Sequence, residues 1–182
     1  MYVFITLLII VLILFICYIS TLNKIKRLFI KVNESLSGID IALTKRYDVL
    51  TKLVEVVKGY AKHEKEVLIK VIELREKMSV NELRDANKSM NENFNYVNVL
   101  VENYPEIKAD EHFRILQKSI VDVEEHLQAS RRIYNANVSR YNQVVLSFPS
   151  SVVAKINNYS ELEFFEANDV AKENVNIKLD NN

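Results

Sequence analysis

The chain has 182 residues, with 24 basic and 24 acidic side chains, two glycines, two prolines, one cysteine and no tryptophan. A net charge of zero argues against a strongly basic nucleic-acid surface, and a single cysteine leaves neither a disulfide framework nor a multi-cysteine zinc site. Two glycines leave no room for a glycine-rich phosphate loop or the many tight turns of an all-β fold, so long helices are the first expectation.

Residues 2–22 read YVFITLLIIVLILFICYISTL, 21 residues without a charge. At a rise of about 1.5 Å per residue they span about the 30 Å hydrocarbon core of a bilayer. The stretch, marked by Tyr2, Phe4, Leu8, Leu12, Phe15, Ile19 and Leu22, predicts a transmembrane helix that contacts lipid. A cleaved secretory signal would need a positive start and small residues before the cut. Here only the amino terminus precedes the apolar run, and bulky Tyr18 lies just upstream of Ser20. Ile16 before Cys17 does not suit lipidation, so Cys17 is read as a small hydrophobe in lipid. Lys24, Lys26, Arg27 and Lys31 crowd the C-terminal flank. The positive-inside rule therefore places the body in the cytoplasm and the N-terminus outside.

Beyond the anchor, apolar residues keep helical spacing. Leu22, Ile25, Phe29, Val32, Leu36, Ile39 and Leu43 alternate steps of three and four, a heptad seam continuous with the anchor. A second run goes from Leu50 to Met78, and a third from Leu83 to Tyr104, ended by Pro105. The fourth takes Phe113, Leu116, Ile120, Val123, Leu127, Ser130, Tyr134, Asn137, Tyr141, Val144 and Phe148, ended by Pro149. The expected fold is all-α: a transmembrane helix (residues 1–23), then an antiparallel up-and-down four-helix bundle with long helices (24–158). An acidic, weakly ordered tail is expected over 159–182, where Glu161, Glu163, Glu166, Asp169, Glu173 and Asp180 face only Lys172 and Lys178.

The chemistry of common helical sites is not matched. A di-iron bundle needs two Glu-x-x-His motifs, whereas Tyr60, Ala109 and Val123 stand three residues before His63, His112 and His126. His63-Glu64 is not continued into a zinc-protease helix, and no nucleophile elbow with flanking glycines is present. The repeated pair Tyr134-Asn135 and Tyr141-Asn142, seven residues apart, is either a set of register-fixing hydrogen bonds to a neighbouring helix or a binding strip. Asp40, Arg46 and Asp48, near the expected first bend, form either an ion-pair network or a peptide-binding site.

Two blocks then point to a family. IDIALTKRYDVLTKLVEVVKGYAKHEKEVL (Ile39 to Leu68) and YPEIKADEHFRILQKSIVDVEEHLQASRRIYNANVSRYNQVVLSFPS (Tyr104 to Ser150) together resemble the bacterial LemA family. The matching positions include Asp40, Arg46, Asp48, Glu55, Gly59, Tyr60, His63 and Glu64, then Pro105, Arg131, Tyr134, Asn135, Tyr141, Asn142, Phe148 and Pro149. Thr51 stands where a proline is usual, which softens the expected bend. The resemblance implies a single-pass plasma-membrane protein with a cytoplasmic helical bundle, no enzymatic activity and no cofactor. The expected role is a scaffold or protein-interaction module, with membrane or cytoplasmic proteins, or a second copy of the chain, as partners and no nucleic acid. The alternative is a sensory bundle that passes a signal through the membrane helix.

Overall fold

The computed structural model describes residues 1–60 and 78–165. They form three long helices and two short ones, α1 (Tyr2–Tyr60), α2 (Val80–Asn103), α3 (Pro105–Ala109), α4 (Glu111–Leu146) and α5 (Ser150–Ile156). The protein is all-α, and its first helix begins with a stretch long and apolar enough to cross a membrane.

One difference from the expected helices concerns α1. The break expected between the first and second runs is absent, and α1 continues as 59 residues of unbroken helix. Thr51 explains part of this. It has the backbone N–H that a proline would lack, and its hydroxyl donates to Tyr47 O at 2.9 Å. The seam explains the rest, because its steps run on through Arg46, Leu50, Leu53 and Val57, all buried. The remainder of the second run, residues 61–77, lies outside the described residues.

α4 packs antiparallel along α1. Asn137 donates to Lys31 O, a Cβ on Gly38 would lie 3.8 Å from Ser130 Oγ, Arg46 meets Glu124, and Tyr60 meets Asp110. The two polar positions of the α4 seam thus lie against α1, one at a glycine and one at a backbone carbonyl. α2 runs parallel to α1, since Asn87 and Asn91 both reach Arg46 while α3, next in the chain, leads to Asp110 beside Tyr60. The core joins Ile25, Ile39, Leu43 and Leu53 of α1 to Leu83 and Val97 of α2, Ile107 of α3, and Leu127, Tyr134 and Tyr141 of α4.

Local signals set the helix ends. Ser79 and Glu82 form a reciprocal capping box at α2. Pro105 opens α3, where its missing N–H costs nothing. Asp110 caps α4 by accepting from Phe113 N at 2.9 Å. Past Tyr134 the buried stripe of α4 moves to Val138, Tyr141 and Val145, so Phe148, the last expected seam position, is 84% exposed. α5 ends in a Schellman turn: Asn158, at φ 57°, donates to Lys155 O, and Tyr159 donates to Ala154 O. That turn sends residues 159–165, assigned above to the tail, back along α4 in extended form, with Phe165 only 2% exposed.

Gly38 sits in mid-helix with ordinary contact space for a methyl group. Gly38→Ala should therefore raise stability by about 0.5–1 kcal/mol, read as a higher thermal midpoint in detergent. Asp110 gives a second prediction. The Phe113 amide, then the Tyr60 hydroxyl, hold its carboxyl below the ordinary aspartate value. A depressed folded value means that the carboxylate contributes stability above the unfolded value and loses it as pH falls through the folded one. Thermal midpoints measured below about pH 4 should fall more steeply for the wild-type chain than for Asp110→Asn, which keeps a cap but does not titrate.

Candidate functional site: a groove for extended chain

Residues 159–165, here called the strap, lie in a groove lined by α1, α2 and α4. Asn142 Nδ2 donates to Leu162 O at 2.8 Å while its Oδ1 accepts from Leu162 N at 2.9 Å. Asn135 makes the same pair with Phe165, at 3.0 and 2.7 Å. The spacing has a simple cause. Seven residues of helix advance about 10.5 Å, and three residues of extended chain advance about 10 Å, so asparagines two turns apart meet peptide groups three residues apart.

The carbonyls in between are also held. Tyr134 Oη donates to Glu163 O at 3.0 Å, and Arg84 Nη2 donates to Phe164 O while its Nη1 donates to Asn81 Oδ1 at 2.8 Å. Burial pushes the Tyr134 phenol above its ordinary value. Four successive carbonyls, 162 to 165, therefore each accept a side-chain hydrogen bond. The strap's own side chains add apolar anchors at every third residue. Tyr159 meets the Phe29 ring edge-on, with centroids 6.2 Å apart, Leu162 packs against the core, and Phe165 lies under the Arg131 guanidinium at 5.2 Å.

Beneath the groove is a buried cation. Arg46, 6% exposed, occupies an apolar position of the α1 seam. Its Nη1 donates to Asn87 Oδ1 and its Nη2 to Asn91 Oδ1, both at 2.6 Å, and Nη2 lies 3.1 Å from Glu124 Oε2. Burial lowers the affinity of Arg46 for its proton and Glu124 raises it. Arg131 feels the same burial, the same carboxylate, and repulsion from Arg46. One glutamate thus balances two guanidiniums, one of which reaches the strap through Phe165.

Arg46 and the pairs Tyr134-Asn135 and Tyr141-Asn142, two separate sets in the sequence, lie in and beside this groove with partners that the spacing did not indicate. The asparagines hold an extended segment of the same chain, not a helix, and Tyr141 packs on Phe29 at 5.9 Å. Asp40 and Asp48 are not part of this cluster, because the anion facing Arg46 comes from α4. Sequence reading missed Glu124, Asn87, Asn91, Arg84 and the strap. Two signals were available: Arg46 keeps the step of three from Leu43, and Tyr159, Leu162 and Phe165 repeat at every third residue. No group of three or more His, Cys, Asp or Glu side chains able to hold a metal is present among the described residues.

Comparison with known proteins gives the chain its family. The model of the LemA family matches residues 35–179, which include Arg46, the strap and the groove residues of α2 and α4. The chain belongs to the LemA family. It is similar to Protein LemA of Metamycoplasma hominis, 24% identical over 163 residues, a match covering 87% of this chain and 74% of that protein. It is also similar to Magnetosome protein MamQ of Magnetospirillum gryphiswaldense, 27% identical over 66 residues, and to Magnetosome protein MamQ 2 of Paramagnetospirillum magneticum, 30% identical over 67 residues. Those shorter matches cover 36% and 37% of this LemA-family chain but only 24% and 25% of the magnetosome proteins.

Asn135→Ala and Asn142→Ala each remove two strap hydrogen bonds, at a cost of about 1–2 kcal/mol per site. Amide hydrogen exchange at Leu162 and Phe165 should accelerate about tenfold in each variant, while the amides of mid-α4 stay protected.

Proposed function

We propose that this LemA-family chain is a non-enzymatic, membrane-anchored interaction module of the bacterial plasma membrane. Residues 2–22 form its single span, the N-terminus lies outside, and the helical body faces the cytoplasm. The span reading is supported by the length and composition of the start of α1 and by a C-terminal flank carrying Lys24, Lys26, Arg27 and Lys31, with no carboxylate before Glu34.

The body docks extended segments of other proteins in the groove that the strap fills. The observation that carries this reading is the set of side-chain hydrogen bonds to four successive strap carbonyls. A groove that grips peptide groups does not depend on side-chain sequence, so it accepts any extended segment with apolar anchors at the strap's spacing. The strap then acts as an internal competitor. A partner displaces it by offering the same pattern, at a cost reduced by the hydrogen bonds that both occupants make alike.

Phe165→Asp places a charge in the buried anchor site and frees the groove. A fluorescent peptide of residues 159–165, blocked at both ends, should bind the full-length Phe165→Asp chain in detergent, measured by anisotropy. Binding should be weak to the wild-type chain, where the strap competes, and lost when Asn135→Ala and Asn142→Ala are added. A peptide that binds none of these chains would rule out exchange in the groove.

A further inference from the structure

The end of the molecule nearest the apolar segment carries hydrophobic side chains that the bundle does not use. Leu146 ends α4, Phe148 stands at the corner between α4 and α5, and Val152 and Ile156 lie one turn apart on α5. All four are exposed, Phe148 at 84%, whereas Ala154 on the opposite face of α5 is fully buried. α5 is therefore docked by one side and offers an apolar side to its surroundings.

The straight run of α1 measures where that side lies. Asn137 of α4 is opposite Lys31 of α1. Nine residues further along α4 is Leu146, and nine residues back along α1 is Leu22, the last residue of the apolar segment. The corner at Phe148 therefore reaches the level where α1 becomes wholly apolar. A hydrogen bond gives the same level independently: Asn157, just past α5, donates to Tyr18 Oη at 3.0 Å. Tyr18 lies four residues inside Leu22, about 6 Å along the helix. Charge at this end matches an anionic surface. Lys24, Lys26, Arg27, Lys31, Arg140 and Lys155 are the charged side chains of residues 1–33 and 135–160, which contain no Asp or Glu; Glu161 of the strap is the nearest carboxylate that follows.

We infer that the α4–α5 corner is a second membrane contact, in which Leu146, Phe148, Val152 and Ile156 enter the interface of an anionic bilayer beside the emerging α1. The occupant of this apolar face is lipid because the face is level with the end of the span and the adjoining segments of α1, α4 and α5 carry basic side chains without a carboxylate. Interfacial elements of this kind bury their apolar side about 5–10 Å into the boundary between headgroups and acyl chains, the depth that the Asn157–Tyr18 contact sets. The body is then held upright at the surface by two attachments, and the groove opens on α4 at a fixed height above the bilayer.

The inference rests on residues 2–22 spanning the membrane, and the test separates the two. The chain has no tryptophan, so Phe148→Trp introduces a single indole at an exposed site. Full-length chains are reconstituted in vesicles of phosphatidylglycerol and phosphatidylcholine with acyl chains brominated near the headgroup, where bromine quenches an indole in contact with it. Phe148→Trp and Ile156→Trp should lose most of their emission, as should Leu12→Trp inside the span in vesicles brominated deeper in the chains. Val99→Trp, exposed on α2 far from the apolar segment, should keep its emission. If Leu12→Trp is quenched while Phe148→Trp and Ile156→Trp behave like Val99→Trp, the span stands and the corner contact is wrong. If Leu12→Trp is not quenched, the span reading fails and the corner falls with it.

Discussion

A guanidinium buried in an apolar seam sets the register of this bundle. Burying Arg46 costs several kcal/mol in desolvation, which Asn87 and Asn91 of α2 and Glu124 of α4 offset only when all three meet it. Sliding α4 along α1 by one turn would part Glu124 from the cation and leave Arg46 with only the two neutral amides of α2. Apolar burial along Ile25, Val32, Ile39, Leu50 and Val57 holds the helices together, at about 1.5–3 kcal/mol for each fully buried side chain, but would tolerate more than one alignment. The charge selects one alignment, and the levels of the groove and of the α4–α5 corner follow from it.

The groove depends on that alignment. Tyr134, Asn135 and Asn142 come from α4 and Arg84 from α2, and they converge on one strand only while both helices keep their heights on α1. Peptide groups buried without partners cost about 1–3 kcal/mol each, so an extended segment settles on a helical surface only where side chains supply the missing donors and acceptors. Two asparagines at the repeat of two helical turns do this, because the pitch of a helix and the rise of a strand agree over that distance. The first half of α4, from Glu111 to His126, contains no asparagine, whereas Asn135 and Asn142 fall where the chain returns.

Much of the fold was legible in the sequence because it depends on periodicity. The apolar start of α1, the seam from Leu22 to Leu43, the end of α2 before Pro105 and the long α4 follow from side-chain spacing and backbone chemistry. The break expected before Leu50 does not form, because Arg46 keeps the steps of three and four and the seam runs through it unchanged. Phe148 shows that spacing alone does not ensure burial: it keeps the seam's period, but the buried stripe of α4 has already turned toward α5 and the strap.

The sequence by itself determined the all-α class, the apolar segment and the family, since each is written in local composition, period or motif. It also marked Tyr134, Asn135, Tyr141 and Asn142 as a repeated pair worth attention. What those residues hold was decided by tertiary structure. Hydrogen bonds across 20 and 30 residues depend on where α5 and the turn at Asn158 deliver the chain, which no local spacing encodes. The same is true of Glu124 as the anion for Arg46. Aspartates near in sequence are equally charged, but only packing of α4 on α1 brings one particular carboxylate within 3.1 Å.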